Sequence, residues 1–95
     1  MKKDKQKVLD EVWTEERIRG FLDLLPPDGT DADFHRLFKA YQSMRADDFS
    51  IFVEMAVTAG LNLQAVGPDG QTVREIASRH RMSGEFVVTL EEAGG

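Results

Sequence analysis

Two histidines, His35 and His80, are the side chains best suited to general acid–base chemistry in a sequence that contains no cysteine. Nothing in the spacing brings either histidine together with a nucleophile and an orienting carboxylate, as nucleophilic catalysis requires. His80 falls at the end of an amphipathic segment, on the face that we expect to point inward. A histidine at the C-terminal end of a helix interacts favourably with the negative end of the helix dipole, which indicates a structural role. His35 occupies a polar position beside Phe34. We therefore assign no catalytic residue and expect a protein that is not an enzyme.

Three carboxylates, Asp28, Asp31 and Asp33, are close enough in sequence to raise the question of a calcium site. An EF-hand loop needs a glycine in its middle and a glutamate at its twelfth position, and that position, counted from Asp28, is Lys39. The carboxylates fit better as caps at the start of a helix. We predict no metal site and no cofactor.

A glycine-rich loop runs into a helix start in residues 65–77, AVGPDGQTVREIA. A phosphate-binding loop needs a lysine directly before the serine or threonine of the helix start, and Gln71 precedes Thr72 here. The loop is better explained as a tight turn, because proline presets one backbone dihedral and glycine adopts a positive one. Thr72 and Glu75 then have the spacing of a capping box, in which each side chain satisfies the other's backbone amide.

The composition excludes several classes of protein. A chain of 95 residues that is 41% apolar suits a single domain, 1–95, and no apolar run approaches the roughly 18 residues that span a membrane. With no cysteine there is no disulfide and no thiolate metal site. We expect a cytoplasmic monomer. Four lysines among the first seven residues predict a flexible tail over 1–11.

The charge balance argues against nucleic-acid binding. From Val8 onward the chain carries 16 acidic and 8 basic residues. Such a surface repels a phosphate backbone, whose affinity for proteins comes mainly from lysine and arginine.

Apolar periodicity predicts about five short helices and no strand, which is an all-α fold. The first, over 13–25, is capped by Thr14 and ends at Pro26-Pro27. Its apolar face comprises Ile18, Phe21, Leu22 and Leu25. The second begins at Asp31 or Asp33 and buries Phe34, Leu37, Phe38 and Tyr41.

The third predicted helix, from about Asp47 to Ala59, is apolar on most sides and should form the centre of the core. Gly60 ends it. After an extended segment and the turn, a fourth helix points Val73, Ile76, Ala77 and His80 inward. Ser83 is the expected N-cap of a fifth helix, whose apolar residues are Phe86, Val87 and Leu90.

Residues 59–72, AGLNLQAVGPDGQT, resemble the connection between ankyrin repeats, in which Ala-Gly ends a helix and an Asp-Gly-x-Thr turn begins the next. The two Ala-Gly stops, at Gly60 and Gly94, are 34 residues apart, close to the ankyrin period of about 33. The resemblance implies antiparallel helix pairs over 33–95 in an ankyrin-like stack, with the N-terminal helix as a cap. The overall pattern also resembles that of small bacterial proteins.

The ankyrin resemblance implies a protein–protein interaction module that is not catalytic. Its contacts to another protein would come from the turn and from exposed positions of the following helix: Val66, Pro68, Asp69, Gln71, Arg74 and Ser78. Neither nucleic acid nor membrane is an expected partner. Arg74 stands where ankyrin repeats keep a buried leucine. Either this helix face is open to a partner, or the resemblance fails at this position.

Residues 72–92 also resemble a bacterial helix-turn-helix, which makes a DNA-binding regulator the alternative function. The matching positions are Glu75-Ile76-Ala77, Met82-Ser83, Val87 and Leu90. Two features argue against it. Arg81 replaces the usual glycine of the turn, and residues 84–92 contain three carboxylates and no lysine or arginine, although base and phosphate contacts draw mainly on cationic and amide side chains.

Overall fold

The computed structural model describes residues 13–81 and 83–94, so the predicted lysine-rich tail lies outside the described residues. Within these ranges are five α-helices: α1 (Glu15–Arg19), α2 (Ala32–Ser43), α3 (Ala46–Thr58), α4 (Val73–Ser78) and α5 (Gly84–Glu92). The β-structure of the described residues is one isolated antiparallel bridge between Val66 and Thr72. The predicted all-α class is confirmed.

The N-terminal helix is shorter than predicted. The Thr14 hydroxyl caps it by accepting a hydrogen bond from the Arg17 amide, 3.1 Å away, but after Arg19 the chain tightens into a 3-10 turn over Gly20–Asp23. Leu24 is already extended, and its carbonyl accepts a hydrogen bond from Arg36 Nε of α2 at 2.9 Å. The inward position predicted for Leu25 is therefore wrong: the chain has left the helix, and this side chain is 72% exposed.

Asp31, rather than Asp33, is the N-cap of α2. Its carboxylate accepts hydrogen bonds from the amides of Asp33 and Phe34, at 2.8 and 3.1 Å. Asp33 has a different task, because its carboxylate accepts the Asn62 amide at 2.9 Å and so ties the segment after α3 to α2. The predicted apolar stripe faces the core, with Phe34 and Leu37 buried.

Helix α3 lies at the centre of the fold, as its sequence predicts. It packs against α1, α2 and α5. Its buried side chains are Phe49, Phe52, Val53 and Ala56. The helix ends as expected at Gly60, whose φ of +84° lies in the left-handed region that glycine adopts without strain.

The last two helices are joined by a turn that changes two predictions. Helix α4 ends at Ser78, and the backbone amides of Arg79 and His80 form turn hydrogen bonds after it. His80 is therefore exposed, not on the inward face of a helix. Ser83 does precede α5, but its hydroxyl makes no capping bond. That hydroxyl contacts Tyr41 of α2 instead.

The helices contact one another in a regular order. Helices α2 and α3 form one pair and α4 and α5 another, with α2 against α4 and α3 against α5. Helix α1 covers α3, and the 3-10 turn packs on α2. The first helix of one pair thus lies on the first helix of the next, and the second on the second. Among the described residues, no helix is long and apolar enough to cross a bilayer.

Candidate functional site

Four of the six predicted contact residues lie in a hairpin between Val66 and Thr72. The Gly67 amide donates to the Gln71 carbonyl, and the Gly70 amide donates to the Gly67 carbonyl, each at 2.9 Å. Gly70 has a φ of +76°, which closes the turn in a conformation suited to glycine. Pro68 and Asp69 are exposed at the tip of this hairpin. The predicted tight turn is confirmed by these bonds.

The base of the hairpin is seated on α2. Leu63 and Ala65 are buried, and Gly67 lies directly against the ring of Phe34. A Cβ atom at Gly67 would be 2.5 Å from Phe34 Cζ, so the close approach depends on glycine. Val66, between two packed neighbours, is 47% exposed. The hairpin therefore holds an apolar side chain in solvent from a fixed base.

The start of α4 is fixed by the predicted capping box. Thr72 Oγ1 accepts the Glu75 amide at 3.1 Å, and Glu75 Oε1 accepts the Thr72 amide at 2.9 Å. Next to it, Gln71 is half-buried and its side-chain oxygen accepts a hydrogen bond from the Arg79 guanidinium. The Ser78 hydroxyl is exposed and donates to the Glu75 carbonyl at 2.8 Å. Gln71 is thus bound to the C-terminal end of α4.

Arg74 lies on the α5 side of α4. Its guanidinium forms an ion pair with Glu91, with 3.8 Å between nitrogen and oxygen, and both side chains are partly exposed. The position for which the resemblance to ankyrin repeats implies a buried leucine therefore contributes to a charged contact between α4 and α5. The structure brings Val66, Pro68, Asp69 and Gln71 together in the hairpin, whereas Arg74 pairs with Glu91 of α5. The Ser78 hydroxyl is bonded within α4.

A row of stacked rings along α2 contacts both ends of the segment 67–80, which contains the hairpin and α4. Phe34 stacks on Phe38, with centroids 5.4 Å apart, and Phe38 stacks on Tyr41 at 6.3 Å. Gly67 rests on Phe34 at one end of the row. His80 stacks on Tyr41 at the other end, at 5.8 Å and an interplanar angle of 11°. Helix α2 thereby fixes the hairpin and the α4–α5 turn relative to each other.

Three polar groups that the sequence analysis treated separately meet at Tyr41. Its hydroxyl is hydrogen-bonded to Nδ1 of His80 and, at 2.7 Å, to Oγ of Ser83, a residue only 8% exposed. A serine nucleophile needs a base at its own oxygen and access for a substrate. Here the histidine contacts the tyrosine, and the serine is enclosed. The cluster is a polar clamp between α2 and the α4–α5 turn.

The three aspartates considered as calcium ligands have other partners. Asp28 Oδ1 accepts hydrogen bonds from the hydroxyl and the amide of Thr30, at 2.6 and 3.1 Å. The hydroxyl bond, followed by the amide bond, lowers the pKa of Asp28 below its ordinary value. Asp31 caps α2, and Asp33 binds Asn62 and Arg36. Within the described residues, no group of three or more acidic or histidine side chains could hold a metal ion.

One feature escaped the sequence analysis. Arg79, His80 and Arg81 line a groove where α4 ends and α5 begins. The sequence shows the three consecutive basic residues. It does not show where α4 ends, and the end of α4 decides whether these side chains point into the core.

No family model, curated protein or solved structure matches this chain.

Proposed function

We propose that this protein is a non-catalytic module that binds another protein through the hairpin, residues 66–72, and through exposed positions of α4. The observation that carries the proposal is the exposure of Val66 on a hairpin whose base is buried against Phe34. A side chain presented from a rigid base loses little conformational freedom when it binds, so more of its contact energy remains as affinity.

The order of helix contacts supports an ankyrin-like version of this module. Two helix pairs, stacked first on first and second on second and joined by a hairpin, have the arrangement that the resemblance to ankyrin repeats implies. Helix α1, packed on α3, would act as the cap at one end. In this arrangement Arg74 and Glu91 belong to the other end of the stack, where a repeat protein needs a polar outer face.

The charge of α5 disfavours the helix-turn-helix alternative. This helix would have to enter the major groove, and its carboxylates Glu85, Glu91 and Glu92 are all exposed. Each would meet the negative potential of the DNA without a basic residue on the same helix. We therefore propose that the module binds proteins rather than DNA. We propose separately, from the expectations of the sequence, that it is a monomer in the bacterial cytoplasm.

The test is quantitative affinity capture from a bacterial lysate with three purified baits: the wild-type chain, Val66→Glu and Val88→Glu. Val88 of α5 is 50% exposed and provides a control of equal chemistry on another surface. Captured proteins are identified by mass spectrometry, purified and titrated against each bait by calorimetry. We expect at least one protein whose affinity falls by about tenfold or more with Val66→Glu and by less than about twofold with Val88→Glu.

Two results would overturn the proposal. One is a titrated partner that binds wild type and Val66→Glu equally, which would remove the hairpin from the interface. The other is recovery of DNA instead of protein, with tight and steeply salt-dependent binding to generic duplexes that disappears when α5 is altered.

A further inference from the structure

The groove between the end of α4 and the start of α5 has a volume of about 530 Å³. Arg79, His80 and Arg81 line it from the turn, and Gly84 and Val87 line it from α5. None of the described residues that line it is acidic. It therefore combines positive charge with a small apolar wall.

This positive charge contrasts with the rest of the surface. The described residues include 14 acidic and 8 basic side chains. The groove between α3 and α5 is edged by Glu54 and Glu92, and the groove beside the hairpin by Asp28 and Asp31. A groove whose described lining contains basic and no acidic side chains is thus a local departure from the overall charge.

The two arginines of the groove keep their charge available. Arg79 contacts the neutral side chain of Gln71, and Arg81 is exposed. Within the described part of the chain neither forms an ion pair, whereas Arg36 pairs with Asp33. Guanidinium groups bind carboxylates through two parallel hydrogen bonds, which makes a pair of arginines a specific receptor for acidic side chains.

His80 adds a fixed polar group to the same groove. Tyr41 holds its ring by stacking and by the hydrogen bond at Nδ1, which leaves Nε2 as the second polar atom of the ring. The groove also adjoins the hairpin, because Arg79 is bonded to Gln71. A partner seated on the hairpin can therefore extend into the groove without crossing another helix pair.

From this charge complementarity we infer that the groove binds an acidic segment of the partner protein. Carboxylates of that segment pair with Arg79 and Arg81, and an apolar side chain between them packs on Val87. The inference rests on the proposed function and specifies the chemistry of the partner. Duplex DNA is a poorer fit, since α5, the helix that would have to enter the major groove, carries no lysine or arginine.

The test uses a fluorescein-labelled nonapeptide of repeated Asp-Leu-Glu, its neutral counterpart of repeated Asn-Leu-Gln, and a labelled DNA duplex, each titrated with the full chain and followed by fluorescence anisotropy. We expect saturable binding of the acidic peptide that weakens as salt is added. The affinity for the acidic peptide should fall by about tenfold with Arg79→Gln/Arg81→Gln. The wild-type chain should bind the neutral peptide about as weakly as this variant binds the acidic one.

Arg19→Gln/Lys39→Gln is the matched control, because it removes the same charge from exposed positions on α1 and α2. It should change the affinity by less than about twofold. Arg81→Gln alone serves if the double variant is unstable, since the Arg81 side chain makes no hydrogen bond within the described residues.

The inference is wrong if the acidic peptide fails to bind, if both double variants lose affinity equally, or if the duplex binds more tightly through the same arginines. Its failure is separable from that of the proposed function. A captured protein that depends on Val66 but not on Arg79 and Arg81 would keep the hairpin interface and remove the groove from it. If the acidic peptide binds through the arginines but no captured protein depends on Val66, the groove is kept as a binding site and the hairpin interface is removed.

Discussion

Gly67 and Phe34 are in direct contact, with the glycine of the hairpin lying against the outer end of the phenylalanine ring of α2. The contact joins two parts of the chain that are 33 positions apart. It also sets how deeply the hairpin sits, because any side chain at position 67 must displace either the hairpin or the ring. The height of the exposed tip above α2 therefore depends on the absence of one methyl group.

Gly67→Ala should destabilise the protein by about 1–3 kcal/mol, the usual cost of forcing an extra methyl into a packed contact. The measurement is urea unfolding followed by circular dichroism. Gly20→Ala is the matched control, because a Cβ there meets nothing within 4 Å and the backbone is helical. It should leave stability unchanged or raise it by up to about 1 kcal/mol. Equal effects of the two substitutions would show that the contact with Phe34 is not tight.

Tyr41→Phe should lower the free energy of unfolding by about 1–2 kcal/mol, because it leaves the enclosed Ser83 hydroxyl without its partner. Adding Ser83→Ala to Tyr41→Phe should cost little more, so the double-mutant cycle should show coupling of about 1 kcal/mol. Chemical denaturation of the four proteins supplies the cycle. Additive losses would mean that the two hydroxyls act independently and that the clamp does not exist.

The elements that the sequence predicted best depend on neighbouring residues. The Thr72–Glu75 capping box, the stop at Gly60 and the central position of α3 each follow from signals within a few residues, and all are confirmed. Ankyrin-like stacking stays a prediction. The predictions for Leu25 and His80 are wrong for one reason: the apolar periodicity of the sequence extends beyond the residue at which each helical segment ends.

The clamp could not be predicted because it depends on contacts between residues that are distant in sequence. The basic groove is lined within residues 77–87, and it could not be predicted because the sequence does not show that α4 ends at Ser78. Tyr41 and His80 are 39 positions apart, and their meeting requires α2 to pack along α4. The residue types were visible in the sequence, since Tyr41 ends a stripe of aromatic residues and Arg79 begins a basic triplet. The sequence does not show how these residues are placed relative to one another, because no local pattern encodes the distance between helices or the residue at which a helix ends.

Thr30→Ala should raise the pKa of Asp28 toward its ordinary value, because the Thr30 hydroxyl is the main cause of the lowering. A carboxyl whose pKa is lowered by folding contributes stability above its unfolded pKa, and that contribution is lost as the pH falls through the folded pKa. The variant should therefore lose stability near neutral pH but not in strong acid. Carboxyl NMR titration reports the pKa, and Thr30→Ser, which keeps the hydroxyl, should leave it lowered. An unchanged pKa in Thr30→Ala would assign the lowering to the amide bond alone.

Arg74→Leu should make the protein self-associate. The ion pair between Arg74 and Glu91 is partly exposed and screened, so breaking it costs less than about 1 kcal/mol. In the proposed ankyrin-like stack, leucine is the residue expected at this position of an internal repeat. It would also enlarge the apolar surface of the α4–α5 pair, on which Val88, one turn before Glu91 in α5, is already half-exposed. An end face of a helical stack that turns apolar recruits a second copy.

Sedimentation velocity over a range of concentrations measures this association, with Arg74→Gln as the control that removes the charge without adding apolar surface. We expect dimers only for Arg74→Leu, with Arg74→Gln matching the wild type in both mass and stability. If Arg74→Leu keeps the wild-type mass but unfolds at higher urea, the leucine is buried between α4 and α5, and this face is not the end of a stack. If Arg74→Gln also associates, the charge itself keeps the copies apart, and the leucine adds nothing.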